Sequence, residues 1–189
     1  MMYRQIDKDR TGTTIMKITR HLGTFLFAAT AIIFAANTAL AQTPKLLGKF
    51  KDWEAYAFSD SKNGKTCFMT STPVNMEPAL VKHGDVYSMV THRPKAKIRD
   101  EVSLNVGYPF KVRSEVVISI GKKQNKMYTS VDTAWSYDEA DDRKLVAAMR
   151  AGDDMKVSGQ SKRGTRVSYR FSLSGFTNAY KAISKACKK

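Results

Sequence analysis

Histidine and cysteine, the side chains that most often ligate metals or attack substrates, are nearly missing from this 189-residue sequence, which holds three of the first and two of the second. Only His83 and His92 lie beyond residue 41. A structural zinc takes four N or S ligands and a catalytic one about three, so a metal centre would need both histidines together with Asp85 or Asp100. A turn histidine and a strand-end histidine making ordinary hydrogen bonds are the expectation, with no metal and no cofactor. There is no C-x-x-C pair, which excludes a thioredoxin-like dithiol. No serine sits in a G-x-S-x-G turn, so His92 with Asp85 or Asp100 has no evident nucleophile. The densest acids, Glu139–Asp142, stand where a helix would begin, and its dipole accounts for them. No catalytic residue is assigned, and the chain does not read as an enzyme.

Apolar runs are equally scarce. The one of any length, Leu22–Ala36, follows Lys17 and Arg20 and leads into Asn37-Thr38-Ala39-Leu40-Ala41. A basic segment, an apolar segment and an Ala-x-Ala site describe a secretory signal peptide cleaved after Ala41. The run is shorter than the roughly 20 residues of a spanning helix; a retained N-terminal anchor is the alternative. Met16 offers a second start, since the residues before it are polar. No cysteine adjoins the cleavage point, so lipoprotein anchoring is not indicated. The chain therefore divides into residues 1–41, an extension with a cleaved signal peptide, and 42–189, one β-rich domain destined for the periplasm, the envelope or the medium. That length has room for one core.

Acidic residues are outnumbered, 17 against 32 basic, for a net charge of +15. Removing residues 1–41 takes away five basic and two acidic side chains and leaves a net +12. Such a surplus favours anionic partners such as lipid phosphates or acidic glycans. Nucleic acid is not expected of an exported protein.

Period two dominates what remains. Val167, Tyr169, Phe171 and Leu173 alternate with Arg166, Ser168, Arg170 and Ser172, a strand with one buried and one wet face. Similar runs are 53–58, 66–71, 86–92, 102–106, 115–120, 127–131 and 154–159. Asn63-Gly64, His83-Gly84-Asp85, Gly121-Lys122 and Arg163-Gly164 separate them as turns. About eight short strands at this spacing predict a mainly antiparallel β-sandwich or barrel.

Two short helices interrupt the strands. One spans 138–151, presents Leu145, Val146 and Met149 inward and stops at Gly152. The other, C-terminal, takes Ser174 as N-cap and lines up Phe176, Tyr180, Ile183 and Cys187 on one face. Cys67 and Cys187 are an even pair in a chain sent to an oxidising compartment, where a disulfide is expected; two buried free thiols are the alternative. A bridge at the last turn would pin a helix otherwise held by a single stripe.

Gly84-Asp85-Val86-Tyr87, Val90-Thr91-His92-Arg93-Pro94, Gly107-Tyr108, Thr133-Ala134-Trp135, Arg163-Gly164-Thr165 and Ser172-Leu173-Ser174-Gly175-Phe176 together resemble the invasion-associated locus B proteins of alphaproteobacteria, over about residues 50–187. The resemblance implies an exported, mostly β envelope protein of a family named for a locus linked to host-cell invasion. No catalytic residues are established for that family, and it lends none here. Where a further cysteine is common shortly after the residue matching Trp53, this chain has Ala55-Tyr56-Ala57. Cys187 is then the one intramolecular partner available to Cys67.

Function is thus sought on the surface. Lys122, Lys123 and Lys126, then Lys162, Arg163, Arg166 and Arg170, cluster at hairpin tips and on one wet face as candidate anion-binding residues, although solvated lysines that block edge pairing would look the same. Trp53, Trp135 and Tyr137 are candidate aromatic contacts for sugar rings, with core packing as the plain alternative. The expectation is a non-enzymatic envelope protein that binds an anionic envelope component or host-surface ligand. The alternative is a structural or maintenance factor held electrostatically at anionic membranes. Mass spectrometry of the exported protein should find Gln42 as its first residue; peptides from 17–41 retained on it would show an anchor instead.

Overall fold

The computed structural model of the chain describes residues 43–188. The processing site after Ala41, Met16 and Lys189 lie outside the described residues. The described residues form eleven strands in one antiparallel sheet and two helices, so the mainly β expectation holds.

The first strands are β1 (Lys45–Phe50), β2 (Trp53–Asp60), β3 (Gly64–Ser71) and β4 (Asn75–Glu77). Next come β5 (Tyr87–Arg93), β6 (Ile98–Asn105), β7 (Glu115–Ile120), β8 (Lys123–Ser130) and β9 (Thr133–Trp135). Helix α1 (Glu139–Ala151) precedes β10 (Asp154–Gln160) and β11 (Arg166–Ser172), and α2 (Phe176–Ala186) ends the chain.

Three strands exceed the eight expected, and each lacks the period-two signal for a physical reason. β1 carries a register shift at Leu46/Gly48, and a bulge breaks alternation. β4 and β9 are three residues each, too short to display a period, and β4 is exposed throughout. Strand β8 also stops at Ser130, one residue short of the expected end, because Val131 turns the chain with φ +55°.

Strand order is β1-β2-β3-β5-β6-β9-β8-β7-β10-β11-β4, open at β1 and β4. Only three residues separate β3 from β4, so the chain steps directly from the first part of the sheet to its far edge. The sheet must therefore curl over itself. Two long-range bonds record the closure: Trp53 Nε1 donates to Ser172 O at 3.0 Å, and Asp52 N donates to Ser174 O at 3.3 Å. Inside lie Trp53, Met69, Leu104, Ile118, Met127, Met155, Tyr169 and Phe171, all fully buried. Burying each large apolar side chain stabilises by about 1.5–3 kcal/mol.

Asp138 caps α1, its side chain accepting from Asp141 N at 2.8 Å. Leu145, Val146 and Met149 are buried as expected. Asp142 is not merely a dipole partner: it is 8% exposed, and its Oδ1 accepts from Val102 N of β6 at 2.9 Å. The start of α2 is a correction. Gly175, at φ +91°, is the N-cap, without a side-chain bond, while Ser174 N donates to Ser172 Oγ. A Cβ at residue 175 would lie 1.8 Å from Phe50 O, so the close approach of β1 demands glycine.

From that start α2 buries Phe176, Ala179, Ile183 and Cys187, with Phe176 edge-on to Trp53 at 4.9 Å. Cys187 is disulfide-bonded to Cys67 of β3, 120 residues away, with Cα atoms 5.9 Å apart. Closing a loop of that length restricts the unfolded chain by about 5 kcal/mol in the chain-entropy account. Non-reducing mapping should show this bridge, and Cys187→Ser should lower unfolding stability by a few kcal/mol. A variant as stable as the oxidised parent would refute the staple.

Candidate anion-binding face

Side chains alternate between the two faces of a strand, and register decides which outward residues become neighbours. Across β8, β7, β10, β11 and β4, one outward row reads Lys126, Val117, Ser158, Ser168, Glu77. The next, toward the β7–β8 turn, reads Gln124, Ser119, Lys156, Arg170, Asn75. Arg166 lies on the other side, opposite Gln160. Lys156 and Arg170 therefore face each other directly, both exposed. Like charges so placed destabilise a sheet. Among the described residues, none of Lys156, Arg166 and Arg170 enters an ion pair.

An open groove of about 720 Å³ runs over these strands, lined by Ser114, Ser158, Ser168, Lys156 and Arg166, with Glu77 and Glu115 as its acidic members. Ser114 Oγ is the one buried side-chain polar atom among the described residues that has no hydrogen-bond partner. Glu115 joins the groove to an aromatic patch. Lys126 Nζ and Tyr137 OH both donate to its carboxylate at 2.8 Å and hold its pKa below the usual range. Tyr137 packs against Tyr128 at 5.6 Å, and Tyr128 is in register with both Glu115 and Trp135. Cations, hydroxyls and half-exposed rings thus share one surface, a combination suited to sugars that carry acidic groups.

The chain matches the family model described as invasion associated locus B (IalB) protein over residues 53–184. It belongs to the IalB family. No curated protein and no solved structure matches it.

In this IalB domain the seven candidate cations do not form one cluster. Lys122 and Lys123 lie at the β7–β8 turn, and Lys162 and Arg163 at the β10–β11 turn. Because β7 and β10 run antiparallel, with Lys156 beside Ser119, the two tips stand at opposite ends of the strands, about 23 Å apart at ~3.3 Å per residue. Lys126 is neutralised by Glu115. Arg166 and Arg170 share the wet face as expected. Trp53 is a correction: it is fully buried and its Nε1 is engaged, so it offers no ring to a ligand. Trp135 is half-buried and Tyr137 exposed. Lys156, Ser114 and Tyr128 escaped the sequence reading. Counting outward from the Arg163-Gly164 turn sets Lys156 opposite Phe171, one residue off the observed Arg170; the contacts of Ser114 and Tyr128 are tertiary.

The histidines make ordinary hydrogen bonds, and among the described residues no group of three or more metal-binding side chains comes together. His92 is 1% exposed. Its Nδ1 accepts from Asp100 N at 3.1 Å, and its Nε2 lies 3.2 Å from Ser184 Oγ. The occupied Nδ1 puts the proton of the neutral ring on Nε2, which donates to Ser184. A nucleophile–base pair needs the opposite direction. Tyr180 OH donates to Asp100 Oδ1 at 2.7 Å, completing a polar cluster that ties α2 to β5 and β6.

Burial lowers the His92 pKa from its ordinary 6.5. Above that pH the ring is neutral in both states. As pH falls below it, the unfolded chain takes up a proton that the folded chain refuses, so stability falls by up to about 1.4 kcal/mol per pH unit until the lowered folded value is reached. Asp142, whose pKa burial raises from 3.8, acts in the opposite sense at lower pH. His92→Asn, which keeps an acceptor for Asp100 N, should flatten the urea-unfolding profile just below the ordinary imidazole value. An unchanged slope would show that the ring titrates normally.

Proposed function

We propose that this IalB-family protein is an exported, non-enzymatic envelope protein whose cationic sheet face binds an anionic component of the envelope or of a host surface, with acidic glycans the chemistry that fits best. One observation carries the reading: Lys156 and Arg170 are directly opposed, Arg166 follows along β11, and none has a carboxylate partner among the described residues. Opposed like charges cost a sheet about 0.2–1 kcal/mol. A sulfate or carboxylate set between them removes that repulsion and gains charge-assisted hydrogen bonds. Ser158 and Ser168 line the same groove beside Lys156 and Arg166, and Tyr128, Trp135 and Tyr137 offer ring faces at its side. A role in host-cell interaction would follow from such a ligand on the host surface.

Replacing Lys156, Arg166 and Arg170 together by Gln should weaken binding to a sulfated glycan about tenfold or more. It should also reduce the salt dependence, since exposed charges are screened beyond about 8 Å at physiological ionic strength. Stability should change by no more than about 0.5 kcal/mol. Lys122→Gln with Lys123→Gln, at the β7–β8 turn just beyond the Ser119–Lys156 pair, should weaken binding less than the triple change. Parental affinity in the triple variant, or binding indifferent to salt, would overturn the assignment.

A further inference from the structure

Four loops at the β10–β11 end of this face meet one another. Gly84 packs on Gly107, Val106 N donates to Asp132 O, Phe110 N to Val131 O, Lys111 N to Gln160 O, and Lys162 N to Pro109 O. Their tips carry apolar residues where turn chemistry favours Gly, Asn or Asp. Leu80, in the turn closed by Val81 N and Pro78 O, is 101% exposed. Val112, in the turn closed by Ser114 N and Lys111 O, is 75% exposed. Val131 begins the two-residue β8–β9 connection at φ +55° and is 73% exposed. A β-branched residue in left-handed backbone is strained, and a polar Asn or a Gly would relieve both the strain and the exposure.

Single exposed apolar residues need no explanation, but these stand on touching loops among cations. Lys82, Lys111, Arg113, Lys162 and Arg163 belong to the same loops, against Asp85 and Asp132. A cavity of about 560 Å³ opens there, with Lys82, Lys162 and Arg163 in its lining beside Val81 and Tyr108. The Leu80 loop is braced from below. Tyr108 OH lies 2.5 Å from Tyr169 OH, Tyr169 OH lies 3.2 Å from His83 Nδ1, and His83 Nε2 lies 3.0 Å from Pro78 O. With the proton on Nε2 bonded to the carbonyl, Tyr169 donates to Nδ1 and Tyr108 to Tyr169.

We propose that this loop cluster docks on an anionic phospholipid bilayer: Leu80, Val112 and Val131 enter the acyl boundary, and Lys82, Lys162 and Arg163 take headgroup phosphates. Apolar tips with a cationic collar are what an interfacial surface requires, since burial of apolar area and attraction to anionic lipid add. A braced loop loses little conformational freedom on docking. The residues are distinct from Lys156, Arg166 and Arg170, and the inference does not rest on the glycan reading.

The test reads one position in the full chain, because the apolar run Leu22–Ala36 could bind vesicles by itself. Leu80→Trp should show blue-shifted emission, quenched by acyl-chain quenchers, on phosphatidylglycerol vesicles and not on phosphatidylcholine vesicles or with glycerol phosphate. Adding Lys82→Gln, Lys162→Gln and Arg163→Gln should abolish the shift, while adding Val112→Asp to Leu80→Trp should lower the partitioning read at residue 80 about tenfold or more. Vesicle binding without a shift at residue 80, an equal shift on neutral lipid, or a shift produced only by a protein partner would each overturn the proposal. Sulfated-glycan binding that persists alongside such a failure would leave the sheet-face reading standing. Loss of glycan binding with the lipid-induced shift intact would do the reverse.

Discussion

The Cys67–Cys187 bond joins the last turn of α2 to the middle of β3, and most of the interior depends on that helix staying in place. Phe176 stands edge-on to Trp53, and Trp53 is the residue through which β2 reaches the end of β11. If α2 lifted away, the side of the core over β1, β2 and β3 would open to water. Eleven residues form a short helix, marginal in isolation. The crosslink supplies what helix length cannot.

Around the staple the chain adds polar fastenings. Cys67 is the register partner of His92, and the extra residue in β6 that shifts the β5–β6 register places Asp100 in left-handed backbone at φ +62°. That bulge lets Asp100 offer its N–H to His92 and its carboxylate to Tyr180. Ser184 closes the cluster from α2. His92, Asp100, Tyr180 and Ser184 together fasten α2 to β5 and β6.

Charge is distributed by register rather than by sequence neighbourhood. Lys122 and Lys162 lie in comparable Lys-rich turns, yet antiparallel pairing of β7 with β10 sends them to opposite ends. Lys156 and Arg170, fourteen positions apart, become nearest neighbours. The sheet face and the loop cluster are thus adjoining surfaces with different chemistry, one of cations with hydroxyls and rings, the other of cations with exposed aliphatic tips.

Patterns within one element were legible without coordinates. The alternation of 166–173, the capped acidic start of α1, the stripe ending at Cys187 and its partner Cys67 all follow from local periodicity and from having only two cysteines. The family was legible too, from short motifs in order. What only the tertiary structure decided are contacts between segments far apart in the chain: the burial of Trp53 under Phe176, the carbonyl of Phe50 that requires Gly175, the use of His92 as a fastening, and the meeting of Lys156 with Arg170. Periodicity reports which face a side chain takes, because that is set by the backbone of its own strand. It does not report what stands opposite, because that is set by register and by how far the sheet curls.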